Sequence, residues 1–343
     1  MSEYLGLMSD GELYCAPEEE RFVQFYKKNW AKMMEQSYYK SENIDWGHCL
    51  RPRLVYWGFL AGSQSSLLDE QLDSIAKVAV CIEFVHKASL LLDDFIDKDT
   101  MRHGEVSFYV SHGVEKTVMF TIHLLCMSLK ELTDVFYKCS LEGSFYYKSM
   151  TSLIRTLYNM SLGVLMELDL SSLDLANVEK IKEIMDLETS SLIENSILLG
   201  YFLSGDNVLD VEQTLEQIGS KIGFAFQVLN DLEPFCSQKN EAHKGSQNTD
   251  VSRNRKNICF PVLMGLLSKR ERVKVVDESD DYLIYLFEKY NVKQILIDDV
   301  HNMLFGIQSE LIRLTPIIKR ENWGNLFMQF VASVISVFEN RLN

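Results

Sequence analysis

The sequence predicts an all-α bundle, and three observations lead to that reading. Only five prolines occur, at 17, 52, 234, 261 and 316, and none falls between Pro52 and Pro234. Proline inside a helix removes a hydrogen bond and clashes with the preceding turn, so this long stretch can hold uninterrupted helices. Apolar residues recur there at spacings of three and four, as in Leu153, Ile154, Leu157, Met160, Leu162 and Leu165. That is the period of one helix face. Runs of β-branched residues are short, and the alternation of a half-buried strand is absent.

The elements follow in order. After an irregular segment over 1–19, helices are expected at 20–38, 51–65 and 70–97, the third being an apolar run that ends in carboxylates. Helices at 114–138 and 143–168 come next, the latter carrying the periodicity above. Those at 177–203 and 208–233 follow. Pro234 cannot donate the hydrogen bond that the Asn230 carbonyl expects, so the chain should kink or stop there. The segment 236–257 is rich in Ser, Asn, Gln and Lys and is the least structured. Helices at 257–269, 280–290, 293–313 and 318–341 complete the chain. There is no internal repeat and no low-complexity linker, so one domain over 1–343 is expected.

Bulk composition narrows the function. A chain of 343 residues, 47% apolar and 24% charged, has an ordinary soluble globular composition. The net charge of −15 argues against a nucleic-acid partner. No apolar run reaches the length of a membrane span. The start, Met-Ser-Glu-Tyr-Leu-Gly, lacks the basic and apolar regions of a signal peptide. The seven cysteines are an odd count without a Cys-x-x-Cys pair, which suggests reduced thiols in the cytoplasm, with neither zinc nor disulfides.

The richest stretch is Glu83-Phe-Val-His86-Lys-Ala-Ser89-Leu-Leu-Leu-Asp93-Asp94-Phe-Ile-Asp97. Asp93 and Asp97 lie four apart, one turn apart on one helix face, and Asp94 flanks them. Three carboxylates so close repel one another unless a cation sits between them. Oxygen-only ligands point to a hard cation such as Mg2+, which takes one or two carboxylates and completes its shell with water and phosphate. A solvated acidic helix end is the plain alternative, but the preceding run is too apolar for a surface helix.

Two other segments frame this one. Trp46-Gly47-His48-Cys49-Leu50-Arg51-Pro52 lies upstream, and Arg102-His103-Gly104 lies just downstream. A third, Gly223-Phe-Ala-Phe226-Gln227-Val-Leu-Asn230-Asp231, comes late, before a polar loop and Lys256-Asn-Ile-Cys-Phe-Pro261. Together, over roughly 20–341, they resemble the trans-isoprenyl diphosphate synthase (polyprenyl synthetase) family. That family carries a Gly-Lys-Arg-x-Arg-Pro-like segment, a first Asp-Asp-x-x-Asp motif, Arg-Arg-Gly and then Phe-Gln-x-x-Asp-Asp.

The resemblance implies an isoprenoid synthase bundle around a central cavity. It implies two acidic helix ends facing each other, three Mg2+ ions between them and an allylic diphosphate, and a homodimer. Asp93, Asp94, Asp97 and Arg102 are then the catalytic candidates, with Asp93, Asp97, Asn230 and Glu233 as metal ligands. Substrate contacts are expected from His48, Arg51, His86, Arg102, His103, Gln227, Lys244, Arg255 and Lys256. The loop 236–257 holds five cations, at Lys239, Lys244, Arg253, Arg255 and Lys256, against Glu241 and Asp250. It suits a mobile lid closing over diphosphate.

The chain also departs from the family pattern. His48, Cys49 and His103 stand where the family has Lys, Arg and Arg, which weakens the isopentenyl diphosphate site. Glu188 stands where a Lys contacts the allylic diphosphate. Asn230 and Pro234 replace the first and last Asp of the second motif. Small residues at Ala88 and Ser89 suggest a chain pocket deep enough for a C15–C20 product, with Phe84 as one residue that could close it. The expected activity is Mg2+-dependent prenyl transfer from an allylic diphosphate, head-to-tail onto isopentenyl diphosphate. Alternatives are transfer to another acceptor, cyclisation on the same fold, and a non-catalytic regulatory subunit.

Overall fold

The computed structural model describes residues 17–39, 49–64, 66–102, 104–139, 143–171, 174–236, 257–277 and 280–342. The all-α prediction holds. In order the helices are α1 (Pro17–Gln36), α2 (Leu50–Gly62), α3 (Asp69–Asp97), α4 (Phe108–His112), α5 (Val114–Lys138), α6 (Gly143–Leu168), α7 (Val178–Met185), α8 (Ser191–Leu203), α9 (Leu209–Cys236), α10 (Cys259–Leu266), α11 (Lys269–Asp277), α12 (Asp280–Lys289), α13 (Val292–Leu314) and α14 (Trp323–Arg341). The sheet among the described residues is one hairpin, β1 (Met101–Arg102) and β2 (Glu105–Val106).

At the centre, α8 is buried along its whole length except at Glu194. It crosses α2 at backbone contact. A Cβ on Gly58 would stand 1.9 Å from the Ile197 carbonyl oxygen, and one on Gly200 would stand 1.9 Å from that of Val55. Only two glycines facing each other permit so close a crossing. Around this pair pack α3, α6 and α9, with α1 and α5 outside α3 and α13 outside α9. The Trp323 indole N–H donates to the Trp57 carbonyl at 3.0 Å, and Trp57, Phe327 and Phe330 stack to dock α14. A buried ion pair, Arg53 with Glu19, fixes α1 on α2 through two hydrogen bonds of 2.5 and 3.0 Å. Arg53 also lies over the Phe330 ring at 4.4 Å.

Three expectations need correction. The helix expected at 177–203 is divided: α7 passes into a π-helical turn, Asp186–Ser190, before α8. Helix α9 neither stops nor breaks at Pro234 but runs on to Cys236. The lost N–H falls so close to the helix end that little of the hydrogen-bond ladder lies beyond it. The hairpin, α4 and α11 were not expected, being short elements with little periodicity.

Candidate active site

Helix α3 ends where Lys98 takes a left-handed φ of 60° and its N–H turns back to the Asp94 and Phe95 carbonyls. Asp93, Asp94 and Asp97 therefore occupy the last turn. The carbonyl end of a helix is already partly negative, so three carboxylates there are uphill without a cation. The hairpin supplies one. It pairs Arg102 with Glu105 across a turn in which Gly104 has φ +81°. The chain folds back, and Arg102 Nε donates to Asp94 Oδ1 at 2.5 Å. Burial still pushes Asp93 up to about 7 against the pull of Arg102, with Asp97, Asp94 and Glu167 adding repulsion. Asp94 is raised by burial too, again opposed by Arg102.

The facing wall comes from α6, the π turn and α9. Glu188 sits in the π turn, a deformation that recurs at functional sites. Burial, followed by the charges of Glu167, Asp93, Asp231 and Asp97, pushes it up to about 9. Its Oε1 is buried without a hydrogen-bond partner among the described residues. Glycine makes room for it: a Cβ on Gly163 of α6 would lie 2.6 Å from Glu188 Cγ. Glu167, four residues on, bears on Asp93, Glu188 and Asp231 alike. The two acidic helix ends thus look onto one shared space, and Glu188 belongs to it.

On α9, Asp231 is buried, which pushes it up to about 7 despite hydrogen bonds from Ile258 and Gln227. The Gln227 amide lies between Asp231 and Thr189, with bonds of 2.7 and 2.9 Å. Asn230 and Glu233 stand partly buried on the last turns of the helix. Among the described residues no three His, Cys, Asp or Glu side chains converge closely enough to hold a metal ion by themselves.

Two turns back along the same face of α3 stands His86, near Arg51 of α2, which lies 5.9 Å from the centre of the Phe226 ring and whose Nε has no hydrogen-bond partner among the described residues. Burial lowers the Arg51 pKa, and Glu83 opposes that. Burial holds His86 well below its ordinary range, reinforced by Arg51, Lys87 and Arg102. His86 is thus neutral and close to three cations, of which Lys87 is 3.5 Å from the Glu83 carboxylate. Burial, then Glu83, pushes the Cys49 thiol up to about 12. His48, His103, Lys244, Arg255 and Lys256 lie outside the described residues.

Ala88 is buried, while Ser89 is partly buried and donates to the His86 carbonyl at 2.9 Å. Phe84 does not close a pocket on the carboxylate side. Nine residues before Asp93, it lies about half a turn away around α3. It packs edge-on against Trp30 of α1 at 5.2 Å.

Sequence reasoning overlooked Glu167 and Gly163. Their spacing of four, placing both on one face of α6, was the available signal.

The family model for polyprenyl synthetase matches residues 33–284. The chain belongs to that family and is a prenyltransferase. It is 25% identical over 239 residues to a geranylgeranyl diphosphate synthase of Saccharolobus solfataricus, covering 69% of this chain and 68% of that one. It is 23% identical over 258 residues to a farnesyl diphosphate synthase of Buchnera aphidicola, covering 74% and 83%. The crystal structure of a geranylgeranyl pyrophosphate synthetase from Pyrococcus horikoshii superposes with a TM-score of 0.77, at 16% identity and coverage of 93% and 99%. That likeness establishes the isoprenoid synthase fold.

Proposed function

We propose that this chain is a Mg2+-dependent prenyl diphosphate synthase. It joins an allylic diphosphate head-to-tail to isopentenyl diphosphate and makes a C15–C20 product. The observation that carries the reading is the shared acidic space between the ends of α3 and α9, where Glu167 bears on both Asp93 and Asp231. The donors there are oxygens alone, burial and then the repulsion of neighbouring acids raise Asp93 and Glu188, and one Glu188 oxygen is buried without a hydrogen-bond partner among the described residues. A divalent cation would relieve each of these features. Mg2+ needs only one or two carboxylates when diphosphate and water complete its shell, so a loose set is compatible with it. Asp93 and Asp97, with Asn230 and Glu233 opposite, would hold the ions, three in number by the family pattern.

When bound, Mg2+ supplies charge stabilisation to the departing diphosphate. The C1–O bond of the allylic substrate breaks and the diphosphate leaves with the electron pair. The isopentenyl double bond attacks C1, and a proton is lost from the resulting cation. Arg102 would add cationic charge beside the diphosphate, exchanging Asp94 for a phosphate oxygen. The apolar bundle excludes water from the carbocation.

Exposed apolar residues on α5 and α6 support a homodimer of a one-domain chain. Met119 is 62% exposed and Tyr158 is 64% exposed, with Ile122, Ile154 and Leu165 also open to solvent. Among the described residues no helix is long and apolar enough to cross a membrane, and we place the enzyme in the cytoplasm.

A second reading, transfer to an acceptor other than isopentenyl diphosphate, is favoured by the neutral Cys49 thiol and neutral His86 on the acceptor side. One experiment separates the two. The protein is incubated with Mg2+ and dimethylallyl, geranyl, farnesyl or geranylgeranyl diphosphate, with and without isopentenyl diphosphate. Products are then analysed by mass. Chain-extended diphosphates that require isopentenyl diphosphate are expected. Absence of chain-extended diphosphates with any of the four would favour the second reading, and diphosphate release with a hydrocarbon product in the absence of isopentenyl diphosphate would replace both with a cyclase.

A further inference from the structure

Both carboxylate oxygens of Asp231 are engaged. Gln227 Nε2 donates to Oδ1 at 2.7 Å, and the Ile258 backbone N–H donates to Oδ2 at 2.9 Å. The residue is 8% exposed. Its carbonyl is engaged too, accepting from Cys259 Sγ at 3.3 Å and from Asn257 Nδ2 at 3.5 Å. Asn257 in turn accepts from the N–H groups of Cys259 and Phe260 at 3.1 and 3.4 Å and so caps the start of α10. One residue of α9 thus gathers the whole entry to α10.

The carboxylate also decides what lies on its other side. An ionised carboxyl only accepts hydrogen bonds, so the Gln227 amide must turn its NH2 group toward Asp231. Its carbonyl then faces Thr189 in the π turn, and Thr189 Oγ1 must donate to it, at 2.9 Å. With Asp231 ionised, each bond in this series has one direction, the direction that the distances and atoms in the structure show. Buried chains of this kind hold firmly when every member is satisfied and fail at the first mismatch.

We infer that Asp231 is a positioning residue rather than a metal ligand: it sets the amide of Gln227, through it the hydroxyl of Thr189, and clamps residues 257–259 onto α9. The inference stands on these hydrogen bonds, and its test uses no catalysis, so it is decided separately from the identity of the product.

The full-length chain is compared with Asp231→Leu and with the double change Gln227→Glu/Asp231→Asn. In Asp231→Leu the Ile258 N–H and the Gln227 NH2 group both lose their acceptor, and no turn of the Gln227 amide gives Ile258 another at position 231. Hydrogen exchange of the Ile258 amide should speed up about tenfold or more. The double variant exchanges donor for acceptor between positions 227 and 231 and should keep protection within about threefold of wild type. Mn2+ bound in the presence of inorganic diphosphate, counted by electron paramagnetic resonance, should be the same in Asp231→Leu as in wild type. Unchanged exchange in Asp231→Leu, loss of protection in the double variant, or loss of one bound Mn2+ in Asp231→Leu would each overturn the assignment. If Asp231→Leu does not fold, the double variant decides: folded with Ile258 protected supports it, unfolded refutes it.

Discussion

Gly163 leaves the space that Glu188 fills. The Cβ that Gly163 lacks would lie 2.6 Å from Glu188 Cγ and 3.2 Å from its backbone nitrogen. The position of the carboxylate in the acidic space therefore depends on a missing methyl group on the neighbouring helix.

Gly163→Ala should destabilise the protein. Overpacking a tight contact costs about 1–3 kcal/mol, and the better helix propensity of Ala returns about 1. A net loss of roughly 1 kcal/mol is expected in urea unfolding. Adding Glu188→Ala should recover most of it. Equal losses with and without the Glu188 change would show that the two side chains do not compete for this space.

Glu188 also makes metal-free stability depend on pH. Its folded pKa is raised to about 9 from an ordinary 4.5, chiefly by burial. The folded state then holds a proton that the unfolded state releases between those values. Stability from this group is complete below about 4.5 and is lost as pH rises toward 9, with a slope of at most about 1.4 kcal/mol per pH unit. Glu188→Gln should flatten the decline most between about pH 8 and 9, above the value of about 7 to which burial raises Asp93 and Asp231. Thermal melts in EDTA across that range check this. An unchanged slope would place Glu188 in a more solvated setting.

The exposed stripe on α6 predicts a further outcome. Ile154→Asp with Tyr158→Asp should weaken self-association by about a hundredfold or more, since two apolar anchors would be replaced by charges. Light scattering after size exclusion should show a dimer for wild type and a monomer for the variant. A monomeric wild type would remove the homodimer from the account.

The fold was readable because its long helices are strongly periodic and free of proline. Helices α5 and α6 begin and end where the pattern says. The π turn was not readable, since one extra residue per turn shifts the apolar pattern too little to register over five residues. The hairpin that brings Arg102 to Asp94 has strands of two residues, too short to show alternation. Asp93 and Asp97 stood out because they are local to one helix end. Glu167 did not, because its partners Asp93, Glu188 and Asp231 lie on three other elements. The same holds for Asp231, whose engagement depends on Ile258, 27 residues away. The kink or stop expected at Pro234 weighs its missing N–H without its place in the last turn of α9, which runs on to Cys236.

The central claim is that the acidic end of α3, with a divalent cation, ionises an allylic diphosphate. The most direct measurement is inorganic diphosphate released from farnesyl or geranyl diphosphate in the presence of isopentenyl diphosphate. It is made with Mg2+, with EDTA, and with Asp93→Ala and Asp97→Ala in Mg2+. A lost ligand removes transition-state stabilisation of several kcal/mol, so release should fall by about a hundredfold or more in each variant and in EDTA. Release within about tenfold of the wild-type rate in either variant, or release that continues in EDTA, would contradict the account.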